Sequence, residues 1–170
     1  MKSKCVLFIA AIAISGFWHH AAAQNEPPPA PASPSFPLHR PIHAEATAEA
    51  WVAFRSGDNE TAIAKADQCI NRFGDAADKV QSILETNQVN LPKGAVSPAD
   101  QKRIAEFQVL HDVATCALIK GWAEEKLGHQ KESREAYARA QKYTYARVQD
   151  SAGEPFWSPA EKASERLTKP

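Results

Sequence analysis

The chain lacks a charge of its own. Twenty Lys and Arg balance twenty Asp and Glu over 170 residues. A neutral chain has no electrostatic footprint for nucleic acid or for an anionic membrane surface. Catalytic signatures are missing too: no GxSxG, no HExxH, no CxxC and no glycine-rich phosphate loop occurs. No cofactor is implied and no catalytic residue is nominated. A long apolar run is also wanting, since Cys5–Ile14 is too short to span a bilayer, which takes roughly 20 apolar residues.

That short run nonetheless has a pattern. Lys2 and Lys4 precede it, and Ala21-Ala22-Ala23 follows just ahead of Gln24. A basic start, an apolar centre and a small-residue cleavage site read as a secretory signal over 1–23. The alternative is an uncleaved membrane-anchoring start. Cleavage predicts an exported protein, periplasmic or secreted, without stable insertion in the membrane. Its formal charge would be about −2, because both lost charges are basic.

Export changes what cysteine means. Cys5 leaves with the signal, so two remain, Cys69 and Cys116. In an oxidising compartment such a pair reads as a disulfide, worth about 4 kcal/mol for a loop of that length. Two buried thiols acting as small hydrophobes are the alternative.

Residues 24–42 form a proline-rich tail. Pro28, Pro31, Pro34 and Pro37 recur every third residue and would line one edge of a polyproline II helix. Such an edge can be read by an aromatic groove, or the tail can serve as a spacer. As a spacer it would add little to stability.

From 43 to 170 the pattern is helical and no segment alternates with period two, so the fold is predicted all-α. Helices are expected over His43–Arg55, over Glu60–Phe73 closed by Gly74, and from Asp75 to about Gln88. Asn90–Val96 reads as a loop. Ser97-Pro98-Ala99-Asp100 then combines a cap, a first-position proline and an acid, and opens one long helix to Leu127. That helix would measure about 45 Å. Gly128 turns the chain into a returning helix over His129–Val148. Ser158-Pro159-Ala160-Glu161 opens a last helix to about Thr168, with Phe156 and Trp157 folded back onto the body.

Two stretches align without gaps. Five residues separate Ala50-Trp51 from Gly57, and five separate Gly121-Trp122 from Gly128. Behind the glycines, Ala62, Ala66 and Cys69 match Ser133, Tyr137 and Ala140. The second copy resembles the tetratricopeptide repeat (TPR), through Gly121, Gly128, Tyr137 and Ala140. The first resembles it through Ala50, Gly57, Ala62 and Cys69. Ser133 stands where that family prefers alanine, and neither copy is followed by the family's proline.

The resemblance implies antiparallel hairpins stacked as a short solenoid or bundle, a scaffold that binds proteins or peptides. Cys69 and Cys116 would then lie on helices that pack side by side. The family's concave surface comes from the first helix of each repeat, which nominates Trp51, Phe54, Arg55, Thr115, Leu118, Trp122 and Lys126. A base four residues after each tryptophan could grip a peptide by apolar burial and charge together. Core tryptophans are the alternative.

The remaining polar residues read as structural. His39 and His43 straddle Pro41, and no metal site is expected there. His111 and Asp112 read as a surface pair, His129 as a turn residue, and Glu124, Glu125 and Lys126 as a solvated face. The expected function is therefore an exported interaction module with no activity of its own. A small exported enzyme or enzyme accessory, and a structural envelope protein, remain as alternatives.

Overall fold

The computed structural model describes residues 41–169, so the predicted signal and the tail up to residue 40 lie outside the described residues. The protein is all-α. Among the described residues six helices follow in order: α1 (Ile42–Arg55), α2 (Asn59–Thr86), α3 (Pro98–Ala105), α4 (Gln108–Lys126), α5 (Gln130–Lys142) and α6 (Pro159–Leu167). Among the described residues, extended pairing is limited to two isolated bridges, Gly94 with Phe156 and Val148 with Trp157.

Local chemistry sets several helix ends. Gly57 and Gly128 have φ of +83° and +80°, a left-handed backbone that glycine alone adopts freely, and each reverses the chain into a hairpin. Ser97 accepts a hydrogen bond from the Asp100 amide at 3.1 Å, with Pro98 as the first residue of α3. Asp58 caps α2 by accepting from the Thr61 amide. Phe156 and Trp157 return to the body through the two bridges.

Three expected boundaries are corrected. Gly74 does not end a helix, and α2 runs through it as one element that includes the segment expected from Asp75. Gly74 is buried, and a Cβ there would meet Arg139 Nη2 of α5 at 2.5 Å. The glycine therefore makes room for a neighbour rather than for a turn.

The expected long helix is two helices, broken at Glu106–Phe107. Phe107 leaves helical geometry at φ −109° and ψ 30°. His111 Nε2 lies 2.8 Å from the Ile104 carbonyl that the break exposes. That carbonyl also accepts from the Phe107 amide at 3.0 Å, so the oxygen at the break keeps two donors.

The returning helix stops at Lys142 rather than Val148, because Tyr143 takes ψ 63°. Val148 is used instead in the bridge to Trp157.

Packing centres on α4. It lies against α1 and α2, which pack on each other, and it carries α5, with α6 covering α5 and α4. Leu110 to Ile119 is buried without interruption. A helix enclosed on several sides needs apolar or satisfied residues all round rather than on one stripe.

Candidate functional site

Along one side of α4 runs a groove of about 500 Å³. One wall is α1, which contributes Ala44, Thr47, Ala48, Trp51 and Arg55 at helical spacing. The floor and far wall come from Gln101, Ile104 and Ala105 of α3 and from Gln108, His111, Asp112 and Thr115 of α4. Arg147–Asp150 and Phe156 close the remaining side.

The nominated residues divide by position. Trp51, Arg55 and Thr115 line the groove. Trp51 packs on Phe54 and Trp122 with ring centroids 6.2 and 5.7 Å apart, and Phe54 stacks on Trp122 at 5.8 Å. The Arg55 guanidinium lies 4.8 Å from the Trp51 ring centre, a cation–π contact. The three rings are half-buried against the core, and of the three Trp51 lines the groove while Phe54 and Trp122 do not. Lys126 is exposed at the end of α4, one turn beyond Trp122. Among the described residues neither Arg55 nor Lys126 has a carboxylate within ion-pair distance.

Leu118 is a correction. Its exposure is 0 %, inside the core, and it offers no surface to a partner. It belongs to the uninterrupted buried run of α4, which a one-face reading of that helix misses. Thr115 is almost as deep, with its hydroxyl donating to the His111 carbonyl at 2.7 Å.

His111 and Asp112 are corrected as well. They are 3 % and 6 % exposed, not a surface pair. His111 Nδ1 faces the Arg147 amide at 3.2 Å and must accept from it, so the proton sits on Nε2 and is donated to Ile104. Burial holds the imidazole pKa down to about 4, neutral at physiological pH. Both nitrogens are already engaged, so His111 is a structural residue.

Asp112 accepts from His43 Nδ1 at 2.5 Å and from Gln108 Nε2 at 3.0 Å, tying the start of α1 to α4. Next to it, Thr47 Oγ1 donates to the His43 carbonyl at 2.9 Å and stands 3.3 Å from Cys116 Sγ and 3.8 Å from Cys69 Sγ. Both cysteines are fully buried free thiols.

The expected solvated face at the end of α4 is also different. Glu124 is buried and accepts from His129 Nδ1 at 2.7 Å, across the turn. Glu125 is half-buried and binds Tyr137 Oη and Arg166. Only Lys126 of the three points to water. The returning helix and α6 cover the two glutamates, and that cover is tertiary rather than local.

Several groove residues escape a reading based on apolar periodicity. Arg147 reaches the groove from beyond α5, its guanidinium held by the carbonyls of Leu91, Thr144 and Ala146. Desolvation lowers its pKa from the usual arginine range. Gln149 and Asp150 follow it. No local pattern announces these three. A signal for α4 does exist: Gln108, His111, Asp112 and Thr115 are polar at three- and four-residue spacing within an otherwise apolar helix.

No group of three or more His, Cys, Asp or Glu side chains gathers as a metal site among the described residues. No described helix is long and apolar enough to cross a membrane. Comparison with known protein families, with curated proteins and with solved structures finds no match.

Proposed function

We propose that this chain is an exported, TPR-like helical module that binds an extended segment of another protein in the α1–α4 groove and performs no chemistry itself. α1 and α4 are the first helices of the two self-similar hairpins, each hairpin turning on a left-handed glycine. Three of the seven residues that the resemblance nominates for a concave binding surface, Trp51, Arg55 and Thr115, line the groove.

The observation that carries the reading is the rim at the aromatic end. Arg55 lines the groove with its guanidinium over the half-buried Trp51 ring, and Lys126 is exposed one turn beyond the half-buried Trp122. A cation presented over apolar surface suits a segment with an acidic side chain next to an apolar one. The groove polar groups Gln108, His111, Asp112 and Arg147 each hold part of the fold. That use favours binding over catalysis.

Arg55→Glu combined with Gln101→Ala alters two exposed groove residues without touching the core. Parent and variant, matched for circular dichroism, are immobilised and exposed to the exported fraction of the source cells. A segment retained by the parent, and released at least about tenfold faster by the variant, supports the groove. Equal retention by both, or none by the parent, removes the reading. The address is tested separately: protein recovered outside the cytoplasm should begin at Gln24. A chain that still begins at Met1 would remove the cleaved-signal reading.

A further inference from the structure

Cys69 of α2 and Cys116 of α4 meet under α1. Neither is exposed at all. The Thr47 hydroxyl spends its single proton on the His43 carbonyl, so its oxygen is left to accept from both thiols. Two sulfurs from adjoining helices that share one oxygen are neighbours between which a bond can form.

We propose that Cys69 and Cys116 form a disulfide while the chain is folding, and that the closed core then seals it, so the redox state of the folded protein is set once. The chemistry is thiol–disulfide exchange with an external disulfide, either a small molecule or an oxidoreductase. On the open chain one cysteine gives up its proton to solvent, and its thiolate attacks the external bond. That bond breaks and one external thiol leaves. The second cysteine, likewise deprotonated, attacks the mixed disulfide, closes Cys69–Cys116 and expels the second external thiol. Two cysteine thiols are oxidised, and one external disulfide is reduced to two thiols.

Once α1 and α4 have closed over the pair, this route is shut. Burial, with the neighbouring Cys69, pushes the Cys116 thiol well above its ordinary range, so the folded protein offers little thiolate. Access is lost as well, because no oxidant reaches a fully covered sulfur. The bond would join α2 directly to α4 and fix the first hairpin on the second. This inference stands apart from the groove reading and does not depend on any partner.

The test uses the full chain, reduced and unfolded, then refolded with glutathione disulfide. Trypsin without reductant should release peptide Ala66–Arg72 linked to peptide Ile104–Lys120. The same oxidant given to the folded, reduced chain should form that link at least about 100-fold more slowly. The linked protein should melt about 10 °C above the reduced one. Refolded protein in which both peptides are unlinked, or linked instead to Cys5 or to glutathione, overturns the proposal. Equal oxidation rates for the folded and unfolded chains overturn the sealing. An unchanged melting temperature overturns the bracing of α2 on α4.

Discussion

Gly121 and Gly74 both sit in helix interiors, yet they should answer the same substitution with opposite sign. A Cβ at Gly121 would lie 2.4 Å from the ring carbons of Tyr137, which is buried and has little freedom to move. Gly121→Ala should cost about 1–3 kcal/mol in urea unfolding, as overpacking does. At Gly74 the obstacle is the far end of Arg139, a flexible side chain. Gly74→Ala should range from neutral to stabilising by about 1 kcal/mol, the helix propensity gained. The sequence pattern places Gly121 inside a helix but takes Gly74 for a helix end. His111 yields a pH prediction. Its pKa falls from 6.5 to about 4 on folding, so the unfolded chain binds the proton more tightly. The resulting stability is fully present above pH 6.5 and is lost as pH falls through 4, by about 3 kcal/mol in all. Urea midpoints across that window should fall in the parent and fall less in His111→Gln. Parallel curves would mean that other groups govern the acid limb. The burial of His111 was not legible beforehand, because a polar residue is hidden here by contacts far away in the chain.

Helices that begin or end on a local chemical device were legible. Ser97 with Pro98 opens α3, and Gly57 and Gly128 close hairpins at positive φ. Ser97→Ala should cost about 1 kcal/mol. Gly128→Ala meets no neighbour but must adopt φ +80°, and should cost about 1–2 kcal/mol. Denaturant midpoints check both, and a neutral Gly128→Ala would mean that the turn relaxes to another geometry. The break between α3 and α4 has no such device. Glu106 and Phe107 are ordinary helix formers, and at the break the Ile104 carbonyl takes the Phe107 amide together with the His111 imidazole. The end of α5 at Lys142 likewise depends on a partner for Val148 that lies beyond α5. The hairpins were therefore readable one by one, whereas their joints were not.

At the scale of the molecule, α4 touches α1, α2, α5 and α6. It is part of the second hairpin and covers the first. Far-UV circular dichroism and the fluorescence of Trp51 and Trp122 should therefore trace a single transition in urea. Separated transitions would mean that the hairpins unfold independently, as weakly coupled repeats do. The groove was partly legible at this scale. Trp51, Arg55 and Thr115 came from the self-similarity of the hairpins, whereas Arg147, Gln149, Asp150 and Phe156 are brought in by the return of the chain after α5. The central place of α4 also matters during synthesis. A growing chain emerges N-terminus first, so α1 and α2 are complete before their cover exists. At about 5–20 residues per second, the roughly fifty residues from Cys69 to Cys116 take several seconds to appear. For that interval Ala62, Ala66 and Cys69 face water on a finished but unroofed hairpin, and a holding chaperone has its moment to act.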